Sequence, residues 1–386
     1  MRTVSLAGWD DQVRTLPTTV YAPPPPRRRI VVIAVVLLMA LLGTLLVSHH
    51  KGDITSMHRH WNVPARGSTI QYNDTYPLTE PQEHEDYTSY RIALITDQDK
   101  ASKTEEGKSW ESVMYKGELR QHRDGRYSFL QDPTPVVLST TYNAKGRGAE
   151  LSELQVFNGK LYTADDRTGI IYEVLGTRLV PRFILSDGSG NREKGFKIEW
   201  MTVKDNHLWI GGIGKDWTTA EGEFVNADPK WIKIVSPSGS VRHVDWRPAY
   251  HAVQQAAGIP DIGYLWHEAV AWSRDLLRWV FLPRRESSER YDETMDERRG
   301  TNLLITADVS FSDIHVSRIG EADPERGFSS FKIIPNSGGM HLLAVKSREV
   351  EGQLSSYITV LDAHNAQVIL KDQKIADNKV EGVEFV

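Results

Sequence analysis

The sequence predicts an all-β five-bladed propeller preceded by a single N-terminal transmembrane helix, and three observations carry that expectation. Beyond Tyr90 the chain is a series of short apolar runs bounded by turn residues, such as YRIALIT, HLWIGG, RWVFLP and YITVLD, with no long amphipathic helix alternating between them. A loose repeat of apolar strand, polar turn and second apolar strand begins at Ser152, Glu199, Glu268 and Ser329, so successive starts lie 47, 69 and 61 residues apart. Blades of four strands with variable loops produce such spacings. Finally, Ile30 to Ser48 contains no charged residue, and at about 1.5 Å rise per residue it nearly matches a hydrocarbon core of about 30 Å.

Taken in order, residues 1–29 read as a cytoplasmic tail ending in Arg27, Arg28 and Arg29, and 30–48 as a signal anchor. The run is too long and too far from the chain start for a cleaved signal peptide. Residues 49–87 are rich in His, Pro, Asn and Thr and read as a stalk or wrapping segment, with a glycosylation sequon at Asn73. The propeller is expected over 88–386. A fifth unit fits between Tyr90 and Lys145, completed by the terminal run VEGVEFV pairing with an early strand. Asn158-Gly159 is a two-residue hairpin signal, because both turn positions must accept positive φ. A two-sheet sandwich is the structural alternative.

Composition excludes several chemistries. The chain has 386 residues and no cysteine, which removes disulfides, thiolate nucleophiles and iron–sulfur clusters. Its net charge of −5 gives no reason to expect nucleic-acid binding. No Walker A loop, Rossmann glycine fingerprint or His-Glu-x-x-His zinc motif is present. His267 beside Glu268 reads as a structural hydrogen-bonding residue.

Each unit opens its first strand with an oxygen-bearing side chain: Ser152 with Glu153, Glu199, Glu268, Ser329 with Ser330, and last Glu381. If those strands are innermost, these groups converge on a central channel. Calcium takes about six to eight oxygen ligands, so the ring is a candidate metal site, although Ser and Glu are also common at strand starts.

The strings KGRGAELSEL, FNGKLYTADDRTGIIYEV, EKGFKIEW, IGGIGKDWTT, HEAVAW, FLPRRESSERY, GFSSFKIIPN and VEGVEFV closely resemble the calcium-activated nucleotidase family of apyrases, over roughly Tyr72 to Val386. The resemblance implies a five-bladed propeller and calcium-dependent hydrolysis of nucleoside di- and triphosphates, with UDP and GDP favoured. It assigns calcium to Ser152, Glu153, Glu199, Glu268, Ser329 and Glu381. Glu153 departs from the family, which usually has Asp there.

For the reaction, Asp97, Asp166 and Arg167 are the expected catalytic residues, and Asp99, Asp165, Trp217, Arg284 and Arg285 the expected substrate contacts. A carboxylate must orient or deprotonate the attacking water, and an arginine can hold phosphate through two hydrogen bonds. Asp165 reads equally as a turn residue and Trp217 equally as a packing residue. Family and topology together imply a type II membrane protein of the endoplasmic reticulum or Golgi, with release by cleavage and homodimerisation left open. A non-catalytic, calcium-stabilised binding module is the alternative of a different class.

Overall fold

The computed structural model describes residues 71–386, and these form five antiparallel units of sheet and two two-stranded ribbons, Trp217–Thr218 with Phe224–Asn226 and Tyr264–Trp266 with Arg285–Ser287. The second sheet runs through Leu151–Phe157, Lys160–Asp165, Ile170–Leu175 and Arg178–Ile184. The third comprises Trp200–Lys204, His207–Gly211, Trp231–Val235 and Val241–Asp245. The fourth comprises Ala269–Ser273, Arg278–Leu282, Leu303–Ala307 and Ile314–Arg318, and the fifth Arg326–Ile333, His341–Val350, Gln353–Asp362 and Gln367–Ala376. The first sheet joins the chain's two ends: Lys379–Phe385 pairs with Tyr87–Asp97, which pairs with Trp110–His122, on which Tyr127–Gln131 and Val136–Thr140 both lie. One parallel contact, Ser139 to Arg178, joins the first sheet to the second.

Packing explains why both faces of most strands are apolar. Five buried clusters each draw on two neighbouring sheets, so every sheet has an apolar neighbour on either side. Ile92 and Leu94 of the first sheet meet Leu343 and Val345 of the fifth, and Ala93 and Ile95 on the opposite face meet Leu154 and Tyr172 of the second. Trp200 of the third sheet and Trp279 of the fourth sit in another cluster, where Trp246 packs edge-on to Trp279 at 4.9 Å. The remaining two clusters join second to third and fourth to fifth. The innermost strands follow one another round a closed, propeller-like ring. The turn at Asn158 and Gly159 has φ of 51° and 69°, as its hairpin requires.

The fold class and the membrane reading need correction. Among the described residues no helix is long and apolar enough to cross a membrane. The longest, Arg247–Ala256, has 10 residues and would span about 15 Å, half of a hydrocarbon core. It ends at Ala256, two residues before Gly258, and packs Tyr250 and Val253 into the core between the third and fourth sheets. The run over 30–48 lies outside the described residues. The transmembrane helix, the signal anchor, the membrane as a partner and the type II localisation are therefore not carried further. Residues 71–86 lie on the sheets: Tyr72 packs on Phe157 at 5.7 Å, and the Tyr76 hydroxyl donates to Glu384 at 3.0 Å.

Candidate functional site

The inner strands carry charge in a Lys-x-Glu pattern that extended backbone turns into neighbours. Lys197 and Glu199 enter the third sheet, and Lys379 and Glu381 begin the last strand, so each pair shares a face. Lys197 lies 2.7 Å from Glu199 and also holds Asp166. Lys379 lies 2.8 Å from Glu381 and 3.2 Å from Asp97. Arg284, buried, joins Glu268 to Glu381, the latter at 3.1 Å, and reaches Glu349 at 3.4 Å. Three cations thus gather Asp97, Asp166, Glu199, Glu268, Glu349 and Glu381.

A second group adjoins the first. Asp97, Asp99 and Glu150 bring carboxylate oxygens within 4.8 Å of one another. Arg147 lies 2.5 Å from Glu150 and 3.0 Å from Asp99, and Arg167 stands 3.8 Å from Glu150 with its side chain 40% exposed. With Arg285 included, eight carboxylates face six cations. With every carboxylate ionised this set would carry two more negative than positive charges.

The electrostatics follow from burial. Burial raises Asp97 to about 6, opposed by Lys379 and reinforced by Asp166. Burial likewise lifts Glu150 to about 7, against Arg147, with Asp166 and Asp97 adding to the shift. Glu199 rises to about 8, again by burial, with Lys197 opposing and Glu268 adding. For Lys379, burial alone would lower the value, but Glu381 and Asp97 outweigh it and hold the amine charged.

Several buried polar atoms here lack a hydrogen-bond partner: Oδ1 of Asp166, Oε1 of Glu199 and one terminal nitrogen of Arg285. The Glu199 oxygen is nonetheless paired with the Lys197 ammonium at 2.7 Å, which leaves Asp166 and Arg285 with the free atoms. A buried polar atom left unpaired costs about 1–3 kcal/mol, and beside these charged groups the free atoms of Asp166 and Arg285 are available to a ligand. Oxygen donors with surplus negative charge suit a hard divalent cation, and calcium fits them by charge and donor type.

The remaining expected residues are distributed as follows. The hydroxyls of Ser152 and Ser329 donate to the carbonyls of Ile198 at 2.5 Å and Val380 at 2.8 Å, tying neighbouring inner strands together. Each hydroxyl oxygen keeps its lone pairs, so hydroxyl and carbonyl are both available as metal donors. Glu153 follows a strand irregularity, and its Oε1 accepts from the Leu154 amide at 2.8 Å and the Ser330 hydroxyl at 2.9 Å, with Lys332 at 3.2 Å. Asp165 accepts from the amides of Ala149, Arg167 and Thr168 at 2.9, 2.9 and 3.1 Å, which makes it the turn residue. Trp217 has Lys194 over its ring at 3.7 Å. His267, pushed down to about 3 by burial, stays neutral, in keeping with a structural role.

Sequence reasoning missed Lys197, Lys379, Glu150, Arg147 and Glu349. The two Lys-x-Glu pairs were visible as period-2 neighbours of expected ligands, and Glu150 stands beside Leu151 and Ser152 in a quoted motif. Nothing local announces Glu349, at the far end of a ten-residue strand.

The sequence profile of the apyrase family matches residues 98–386. The chain is 48% identical to soluble calcium-activated nucleotidase 1 of Rattus norvegicus over 352 residues, covering 90% of this chain and 87% of that protein. The chain belongs to the apyrase family. It is also 44% identical to apyrase apy-1 of Caenorhabditis elegans, covering 77% of this chain and 84% of that one. For the apyrase of Cimex lectularius the identity is 37%, with 81% and 87% covered. This apyrase is accordingly a hydrolase of nucleotide phosphoanhydrides, and a purely non-catalytic role is set aside.

Proposed function

We propose that this apyrase hydrolyses nucleoside di- and triphosphates in a calcium-dependent reaction, with UDP and GDP favoured, at the charged end of the central channel. One observation carries the placement: Asp166 is buried with an unpartnered oxygen beside Asp97, among cations that also gather the ring carboxylates. Glu199, Glu268 and Glu381, with the carbonyls of Ser152 and Ser329, would hold the ion. Glu153 is left out because its own partners engage it. Calcium, when bound, supplies Lewis-acid polarisation of phosphate oxygens and offsets the surplus negative charge.

The chain's own residues supply the rest. Asp97, at about 6, is ionised at neutral pH and still basic enough to take a proton from the attacking water. Asp166 offers its free oxygen to orient that water. Attack at the terminal phosphorus forms one P–O bond as the bond to the bridging oxygen breaks, leaving phosphate and the shortened nucleotide. Arg167 on the rim and the free nitrogen of Arg285 are suited to hold phosphate oxygens.

The test is phosphate release by the purified protein across UDP, GDP, ADP and triphosphates with calcium, magnesium or chelator. Release only with calcium is expected, because magnesium demands near-octahedral geometry at about 2.0–2.1 Å and gives up water reluctantly. Full activity in chelator would defeat the reading.

A further inference from the structure

Four of the inner strands that start at the charged site lead to a second opening. Three residues beyond Ser152, Glu199, Glu268 and Ser329 stand Gln155, Thr202, Ala271 and Lys332, which at about 3.3 Å per residue is about 10 Å farther along each strand. These four residues line a cavity of about 400 Å³. The segment that precedes the first sheet closes one side of it with Tyr72, Asp74, Thr75 and Tyr76. Pockets that hold a whole small ligand measure about 300–1,000 Å³, so this one has the size of a site.

Its charges favour a neutral occupant. Lys332 is 5% exposed, and its ammonium is already paired with Glu153 at 3.2 Å. Asp74, Arg274 and Asp275 are exposed around the cavity, and among the described residues none of the three carries an ion pair or a side-chain hydrogen bond. Two acids against one base leave a single charge, which water and salt screen over about 8–10 Å. Such a rim has no strong pull on a phosphate or on a polycation.

The hydrogen-bonding groups ask for both donors and acceptors. An arginine only donates and a carboxylate only accepts. Deeper in, the Gln155 amide nitrogen donates to the Val156 carbonyl and to Glu384, both at 3.0 Å, in a residue 6% exposed. Among the described residues its carbonyl oxygen receives no hydrogen bond, so a buried acceptor is left at the cavity. Tyr72, Tyr76 and Trp272 supply aromatic surface beside these polar groups. The Tyr76 hydroxyl is held by Glu384, so that residue offers its ring.

We propose that this opening is a saccharide-binding site that takes a neutral β-linked disaccharide, apart from the nucleotide site at the other end of the strands. Every sugar hydroxyl both donates and accepts, which satisfies Arg274, Asp74, Asp275 and the Gln155 oxygen with one uncharged ligand. In β-linked glucose or N-acetylglucosamine units the equatorial substituents leave flat C–H faces, and these match aromatic rings that are apolar in the middle and polar at the tip.

The experiment titrates cellobiose and N,N′-diacetylchitobiose into the full chain, with binding followed by saturation-transfer NMR and inorganic phosphate added as the charged competitor. Saturable binding of at least one disaccharide is expected, and phosphate should not displace it. Trp272→Ala should weaken that binding by about tenfold, the loss of one aromatic contact. Trp272 also packs on Trp279 at 5.3 Å, so Arg274→Ala, at an exposed residue, serves if the first variant does not fold. Arg274→Ala should weaken binding by at least about threefold while phosphate release from nucleotides in calcium stays at the wild-type rate. No saturable binding of either disaccharide, displacement by phosphate, or undiminished affinity in a folded variant would each overturn the site. A loss of turnover in folded Arg274→Ala would overturn its separation from the nucleotide site.

Discussion

The protein buries two sets of carboxylates that differ in how their oxygens are satisfied. Glu384 is 0% exposed and accepts from the amides of Val156 and Phe385 at 2.7 and 2.8 Å, from Gln155 at 3.0 Å and from Tyr76 at 3.0 Å. Glu153, nearby, has the Leu154 amide, Ser330 and Lys332. Asp166 is 7% exposed, yet one of its oxygens has no hydrogen-bond partner. Burial is therefore no guide to function here. Glu384 has both oxygens hydrogen-bonded, whereas Asp166 keeps one free for a ligand.

The largest expected effect tests that distinction directly. Asp166→Asn should lower kcat by about 10²–10⁴-fold with little change in melting temperature, because the chemistry needs the carboxylate and the core does not. Glu384→Leu should do the reverse, leaving buried donors unpaired and costing about 3–5 kcal/mol while turnover per folded molecule holds. Phosphate release and urea unfolding on both variants decide it. If Glu384→Leu abolished turnover in a folded protein, the division between the two sets would fail.

A second variant probes the ring. Glu199→Gln should raise the calcium concentration at half-maximal activity by about tenfold, and each tenfold loss of affinity removes about 1.4 kcal/mol of calcium-dependent stability. Both shifts should appear together, in calcium titrations of activity and of melting temperature. A change in activity alone would move Glu199 from metal binding to the chemistry.

The third concerns pH. Since Asp97 sits at about 6 and acts only when ionised, kcat/KM should fall about tenfold per pH unit below that value. Asp97→Asn should lower activity and abolish that acid limb. A limb that persists unchanged in the variant would belong to another group, with Glu150 the next to test.

The sequence made the strands legible because apolar runs and turn residues are local signals, and Asn158-Gly159 and the repeat starts fall where strands meet. Glu199, Glu268 and Glu381 were legible as strand-start carboxylates. Their counter-ions were not, since Lys197 and Arg284 acquire meaning only when separate sheets bring Asp166 and Glu381 to them. For Glu153 the structure adds what alternation cannot foresee, a register shift between Leu151 and Glu153 and the Ser330 and Lys332 contacts of its carboxylate. The 30–48 run lies outside the described residues, among which no helix is long and apolar enough to cross a membrane.

The smallest effect concerns a buried cation built like the satisfied carboxylates. Lys233 is 0% exposed, donates to the Gly188 carbonyl, and lies 4.5 Å from the Phe196 ring centre. Burial pushes it down to about 8, with Asp187 and Asp228 only partly opposing. Its ordinary value in the unfolded chain is about 10.4, so between these limits the native state binds fewer protons than the unfolded state. Stability contributed by this group therefore rises with pH through that window, by at most about 1.4 kcal/mol per unit. Lys233→Met lacks the titration, so the wild type should gain on the variant from about pH 8 to 10 in urea-unfolding measurements, while kcat for the favoured nucleotide stays unchanged at pH 7. A stability difference that does not vary with pH would mean that Lys233 keeps its charge through this range. A fall in kcat would place it with the incompletely satisfied groups of the site.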